Sequence, residues 1–514
     1  MAAGNTCRSA CAHHSARFRP NTNQPSNYQS VIPMLDNTQV KLDDSGHVTA
    51  NLFIADGQDF DPQTLAMLQA FYSRSTKSIA DRVEGLNAEQ VRESLLKFYI
   101  GYGHRSIGQC ANFTVFLEDV SILAAKFIQH HPLYNGQETS TRYYDFSKRA
   151  MVLPVRDDQY ESYLRTLYVT LLEAATNAYL KQAKDEGHEL DANMERTCKA
   201  KAFDLARCLL TAGHTTKLSW TTNFDQASEQ LAYLINSPVD ELRRIGTALA
   251  DQLYAKYPQA FANPASLVDA RQAEVLSTSM FDNTHDFITH NSMYDGQASG
   301  WTFREGQYLD ADSDFVLRTR ARSERLPRGY SKFGRFDFAF NIDFGSWRDL
   351  HRHRNGDVYF PSYTGPEPLK MHPWYLGEIE RLGIGNTEVF GGTLMEAIER
   401  IYSELLPQVA ENTLGMAKGM SPNEIYGHDN RAEFMYYVPI GTEVRAFMTY
   451  DLPQSVYVAE LRTARTVHPT ARIAAHFMSE VVLDTFPNLQ LFTDDFDLNG
   501  LSPKRGQQTI LERA

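Results

Sequence analysis

Residues 336–354 read FDFAFNIDFGSWRDLHRHR. Phe336, Phe338, Phe340 and Ile342 alternate with Asp337, Ala339, Asn341 and Asp343, the period-two pattern of a strand and the clearest in the chain. Ser346–Arg354 then reads as a helix, on which Arg348, His351 and Arg352 share a face. Clustered guanidinium groups suit phosphate or pyrophosphate, because each planar fork donates two hydrogen bonds at once. The same residues also fit a solvated basic face paired with Asp343 and Asp349.

An earlier stretch follows the same order. Helices at Asp61–Ser73 and Asn87–Tyr102 precede a strand in which Phe113, Val115 and Leu117 alternate with Thr114 and Phe116. A helix at Val120–His131 follows, then longer helices near Gln159–Glu186 and Glu195–Leu210. A strand at Thr215–Thr222 leads to helices at Phe224–Ile235 and Val239–Tyr257. After residue 354 the pattern resumes with a helix at Gly392–Glu411, a strand at Glu443–Tyr450, and helices at Gln454–Arg465 and Pro469–Phe486. A repeat of this length is too long for a solenoid unit and predicts tandem domains. The expected fold class is α+β: two duplicated domains, each a mostly antiparallel sheet with flanking helices. The expected boundaries are a disordered tail at 1–45, a first copy at 46–265, a join with a polar insertion at 266–330, a second copy at 331–490 and a C-terminal tail at 491–514.

Composition narrows the function. At 514 residues the chain is long enough for several domains with sizeable cores. Its 42% hydrophobic content and the lack of a long apolar run predict a soluble protein without membrane spans. A net charge of −13 argues against a general nucleic-acid binder. Five cysteines form no CxxC pair, which predicts reduced thiols in a cytoplasmic setting and no zinc site. The acid-free segment before Asp36 shares one bias with transit peptides but lacks their amphipathic helix, so it reads as a plain tail or an over-extended start.

Three further clusters could carry chemistry. Glu138-Thr139-Ser140-Thr141-Arg142 follows an expected turn at Asn135-Gly136 and offers the hydroxyls and guanidinium that a nucleotide phosphate needs. It could equally be a polar loop. Gly103-His104-Arg105-Ser106 follows a helix end, where a glycine is an ordinary cap. Glu460-Leu461-Arg462 lies on a helix, with Arg445 on the strand before it. No Walker loop, GxGxxG or nucleophile triad is present, and Cys110 leads into an apolar strand, which suits a structural thiol.

Together these clusters resemble the flavin-dependent thymidylate synthase family, twice over. In the first copy Gly103–Ser106 is similar to the family's GHxS segment, Ser140-Thr141-Arg142-Tyr143 to its S-x-R ending, and Trp220-Thr221-Thr222-Asn223 to its later strand. That copy has Ile128-Gln129-His130-His131 where RHR is expected and Ile235-Asn236 where Leu-Arg is expected. The second copy is the complement. It has Arg352-His353-Arg354 and Glu460-Leu461-Arg462, but Asn355-Gly356-Asp357-Val358 replaces the S-x-R loop.

The resemblance implies composite sites. Ser140 and Arg142 from the first copy, with Arg352 and Arg462 from the second, would bind dUMP, Arg462 being also the candidate catalytic residue. His104, Ser106, His353 and Arg354 would line the FAD pocket. Methylenetetrahydrofolate would supply the carbon and NADPH the electrons for reductive methylation of dUMP to dTMP. Family members are tetramers, so two fused chains would form a pseudo-tetrameric homodimer. Two alternatives stay open at this point: flavin-dependent modification of another pyrimidine nucleotide, and a catalytically inactive nucleotide-binding homologue.

Overall fold

The computed structural model describes residues 37–41, 49–84, 87–277, 299–361, 369–413 and 431–507. The expected disordered stretch at 1–31 and much of the polar insertion lie outside the described residues. The chain divides into two units, residues 1–91 and 92–514.

In the first unit Asn37–Lys41 pairs antiparallel with Thr49–Phe53, so a strand stands inside the stretch read as a tail. The helix Pro62–Tyr72 begins where the Asp61 carboxylate accepts the N–H groups of Gln63 and Thr64, with proline in its first turn. Phe60, Leu68 and Val83 form a small apolar core there.

The second unit holds two larger antiparallel systems beside a short hairpin at residues 388–393, in keeping with the α+β expectation. In one, Asn112–Ser121 pairs with Thr215–Asn223. In the other, four strands lie in the order Ser299–Glu305, Gly334–Asp343, Glu443–Asp451, Gly356–Val358. One motif recurs in both systems: a strand runs directly into a helix, and a polar side chain at the junction accepts an N–H of the first turn. Ser121 caps Ile122–Gln129, Asn223 caps Phe224–Ile235, Asp343 caps Phe344–Leu350 and Asp451 caps Leu452–Arg462. The two systems meet along main chain: the N–H of Ile440 donates to the Leu210 carbonyl at 2.6 Å, and that of Ala212 to Val438 at 3.1 Å. Gly441 permits this approach, since a Cβ there would stand 2.4 Å from the Cβ of Cys208.

The strand at 334–343 is internal to its sheet and covered on both faces, and Asp337 is bonded there by Thr449 at 2.8 Å and Arg304 at 2.7 Å. Three expectations need correction. Asn135-Gly136 is not a turn. Residues 135–139 run extended beside Thr215–Asn223, with Thr221 and Ser219 donating to the carbonyls of Asn135 and Gln137 at 2.8 Å each. Glycine is required at 136 because a Cβ would stand 1.9 Å from the Ser219 oxygen. The helix opened by Asp343 stops at Leu350, so Arg352, His353 and Arg354 lie past its end. The cause is Arg462, whose guanidinium takes the Asp349 carbonyl at 2.7 Å; the His353 N–H turns instead to Leu350 at 3.0 Å. Likewise the helix carrying Glu460 ends at Arg462, before Arg465.

Residues 491–507, read as tail, lie against the body. Arg472 donates to the carbonyls of Asp495 and Asp497, and Lys201 to that of Leu498 at 3.0 Å. Among the described residues no helix is long and apolar enough to cross a membrane.

The Phe344–Leu350 helix is anchored by Trp347, which is fully buried against Phe344, His351 and Phe360 at ring separations of 5.4, 4.6 and 4.9 Å. Trp347→Ala is expected to lower the unfolding free energy by about 3–5 kcal/mol, the usual cost of emptying a large core site. Urea titration checks this; a loss below about 1 kcal/mol would show that the ring does not anchor the helix.

Candidate active site

The capped helices Ile122–Gln129 and Phe344–Leu350 each direct a cation at one carboxylate. Lys126 Nζ lies 2.5 Å from Glu138 Oε2 and Arg348 Nη2 lies 2.6 Å from Glu138 Oε1. Gln129 donates to Oε2 at 3.1 Å. All are buried. Burial alone would raise the Glu138 pKa, but the charges of Arg348, Lys126 and Arg352 outweigh it and hold the group well below the usual carboxylate range. This clamp fixes the start of the segment that carries Ser140 and Arg142.

Beside it four guanidinium groups surround Asp349. Arg142 binds Asp204 through two bonds of 2.7 and 3.2 Å and donates to the Thr466 carbonyl at 3.0 Å. Ser140 Oγ accepts the Arg142 backbone N–H at 3.2 Å, so the serine shapes the turn that presents the arginine. Arg462 donates to His353 Nε2 and to the Asp349 carbonyl, both at 2.7 Å. Arg352 stands 3.9 Å from Asp349 Oδ1 and is 44% exposed, which leaves its fork open to solvent. The buried Arg207 stands 3.7 Å from Asp349 Oδ2 and donates to Ser346 Oγ at 2.6 Å. Burial would raise the Asp349 pKa, but Arg352, Arg207, Arg142 and Arg462 hold the carboxyl far below its ordinary value. Four guanidiniums against Asp349, Asp204 and Asp343 leave one positive charge in surplus beside an exposed arginine, the electrostatics of an anion site.

His353 accepts from Arg462 on Nε2, so the ring is neutral there and its proton sits on Nδ1. Burial and then Arg462 and Arg352 push its pKa well below the ordinary value, in agreement with that assignment. Arg354 crosses to the other strand–helix system, donating to the Gln129 carbonyl at 3.0 Å and lying over the Tyr134 ring at 5.0 Å. His130, at the position where the resemblance expected arginine, lies 3.0 Å from His351 in a near-parallel ring pair. Burial pushes the His130 pKa down to about 4, so the pair shares a proton donor and an acceptor rather than two charges.

The structure therefore brings together Arg142, Arg352, His353 and Arg462, with Ser140 and Arg354 on their flanks. His104 and Ser106 belong to a different contact set. His104 packs against Phe98 and Tyr102 at ring separations of 6.2 and 6.1 Å, and its Nδ1 is buried without a partner. The Ser106 carbonyl accepts the Cys110 thiol at 3.3 Å. Between them Arg105 pairs with Asp225 at 2.6 Å and Glu229 at 3.2 Å, which ties the segment to the Phe224–Ile235 helix. Burial raises the Cys110 pKa, away from nucleophilic thiolate character.

Sequence reasoning missed Asp204 and Arg207. They sit three apart in the apolar run AFDLARCLL, and charged residues on a buried helical face were the available signal. His468 was also missed. It is buried between Ser346 Oγ at 3.1 Å and the Asp204 carbonyl at 3.1 Å, and burial followed by Arg207 lowers its pKa to about 3.

The Glu138 clamp makes stability depend on pH. A depressed carboxylate pKa contributes stability that is fully present above the unfolded value of about 4.3 and is lost as pH falls through the folded value. Glu138→Gln is expected to cost about 3–5 kcal/mol near neutral pH, because it leaves Lys126 and Arg348 without their counter-charge. The gap from the parent protein should narrow below about pH 4. Urea titrations at neutral and acid pH check this, and a gap that does not change with pH would contradict the clamp.

Residues 58–259 match the family model described as thymidylate synthase complementing protein, Thy1. No curated protein matches the chain. The matched stretch contains the Glu138–Arg142 segment, Asp204 and Arg207; Arg352 and Arg462 lie beyond it. Over residues 58–259 this chain is therefore similar to the Thy1 family, the flavin-dependent one.

Proposed function

We propose that the chain is a flavin-dependent thymidylate synthase-like enzyme. It would carry out reductive methylation of dUMP to dTMP at a site composed of its two strand–helix systems. The observation that carries this reading is the convergence of Arg142 and Arg207 from one system with Arg352 and Arg462 from the other around Asp349. A dianionic phosphate suits that charge surplus, and the exposed Arg352 is the natural first contact. Arg462 would orient the nucleotide and stabilise charge developing on its ring, since its guanidinium is fixed by His353 and the Asp349 carbonyl.

The family implies FAD, and the donor set here is compatible with it. His353 offers a neutral ring with Nδ1–H, Arg354 a cation stacked on Tyr134, and His104 a buried Nδ1 that lacks a partner. His353 and Arg354 would hold the flavin, whose chemistry is the transfer of a hydride, and His104 and Ser106, in their separate contact set, would join that pocket only from a second chain. Methylenetetrahydrofolate and NADPH would be co-substrates, and two chains would assemble as a pseudo-tetramer in the cytoplasm. The complementary loss of motifs, RHR in one system and S-x-R in the other, supports a duplicated origin in which only one composite arrangement is retained.

Arg142→Ala and Arg462→Ala are each expected to weaken dUMP binding by about 1.5–3 kcal/mol, the loss of a charged hydrogen bond. Titration calorimetry, with a thermal melt to establish folding, checks both variants. Unchanged affinity in both would overturn the nucleotide roles. In the parent protein, excess FAD followed by removal of free dye should leave a visible flavin band that shifts on adding dUMP. Product mass then separates methylation from another single-carbon transfer to the pyrimidine. Absence of retained flavin in a folded protein would favour the inactive, nucleotide-binding alternative.

A further inference from the structure

Arg142 does not have Asp204 to itself. Arg505, from the short helix Pro503–Gln507 near the end of the chain, places Nη2 at 2.6 Å from Asp204 Oδ2, the same oxygen that accepts from Arg142 Nη2 at 3.2 Å. Arg505 also donates to the Thr466 carbonyl that Arg142 uses, and its guanidinium lies 5.2 Å from the ring centre of Tyr143, the residue after Arg142. It thus touches the carboxylate, the carbonyl and the neighbouring residue that fix Arg142. The side chain is 3% exposed, which rules it out as a direct ligand for a solvent-borne anion.

The charge balance explains what this contact does. With one guanidinium, Asp204 would neutralise Arg142. With two, the trio carries net positive charge and Arg142 retains attraction for a phosphate. The segment that delivers Arg505 is itself anchored, by Arg472 and Lys201 on the carbonyls of residues 495–498.

We propose that Arg505 is a positioning residue for nucleotide binding: through Asp204 and Thr466 it sets the orientation and free charge of Arg142, so the C-terminal segment completes the site. This rests on the nucleotide role of Arg142 given above. The test is a double-mutant cycle in the full chain with Arg142→Ala and Arg505→Gln, reading dUMP affinity by calorimetry. Arg505→Gln alone should weaken dUMP roughly 5–20-fold, the coupling range for residues in one network, and should add little once Arg142 is gone. Deoxyuridine, which lacks the phosphate, should show no such difference between parent and Arg505→Gln in the same calorimetric titration. Arg505→Lys, which keeps the charge but not the fork, should recover part of the loss, and it carries the test if the glutamine variant does not fold. Additive losses in the cycle, or an Arg505→Gln variant that binds dUMP as the parent does, would overturn the positioning role alone. An Arg142→Ala variant with parental affinity would overturn it together with the reading on which it rests.

Discussion

Everything at the site depends on one buried carboxylate held from two sides. Glu138 takes Lys126 from the helix after strand Asn112–Ser121 and Arg348 from the helix after strand Gly334–Asp343. Three buried charges are costly to remove from water, and removing one partner strands the others. That asymmetry makes the clamp a device for alignment rather than a source of net stability. Any rotation of one helix against the other would break an ion pair in low dielectric. With the helices locked, the turn at Ser140–Arg142 and the turn at Arg352–Arg354 have a fixed relation, and the arginines they carry can converge.

Asp343 and Arg207 extend the same logic inward. Asp343 caps its helix through Ser346 N at 2.8 Å and accepts Tyr375 at 3.1 Å and Arg207 at 3.3 Å, with Thr470 on its other oxygen. The residue that caps this helix is also the counter-ion of a fully buried arginine from the other strand–helix system. Its carboxyl is buried, yet the charge of Arg207 keeps it below the ordinary range and therefore ionised. Around Asp343 the groups of Arg207, Ser346, Tyr375 and Thr470 satisfy one another, and this is the condition under which a buried network specifies one arrangement instead of several.

The strands and helices were legible because they obey local rules. Period two marked Phe336–Asp343, and Phe224–Ile235 showed the helical period over its observed length. What failed were features set by partners distant in sequence. The helix ends at Leu350 because Arg462, more than a hundred residues later, takes a carbonyl that a longer helix would use. Residues 135–139 are extended because strand Thr215–Asn223 accepts them as a neighbour, against the turn preference of Asn-Gly. The arginines of the site were legible as residue types in a familiar order. Asp349 was legible as a partner of the basic cluster, and Arg352 stands 3.9 Å from it. Asp204 was not, since an acidic residue in a helix gives no sign of which distant cation it will meet.

That distinction bears on how a composite site survives the loss of motifs. In the first strand–helix system His130 stands where an arginine was expected, and it pairs as a neutral ring with His351. An arginine there would add a fifth cation beside Arg354 and Arg352 around a clamp whose only carboxylate is Glu138, and like charges in that setting raise the cost of burial. Loss of the arginine on one side therefore relieves repulsion that its retention on the other creates. The same holds for the acidic partners: Asp349 counters a cluster drawn from both systems, so a second complete set of guanidiniums would lack its counter-charge. On the proposed duplicated origin, the two degenerate motifs would be mutually permissive, each tolerable because the other half of the chain kept what was lost.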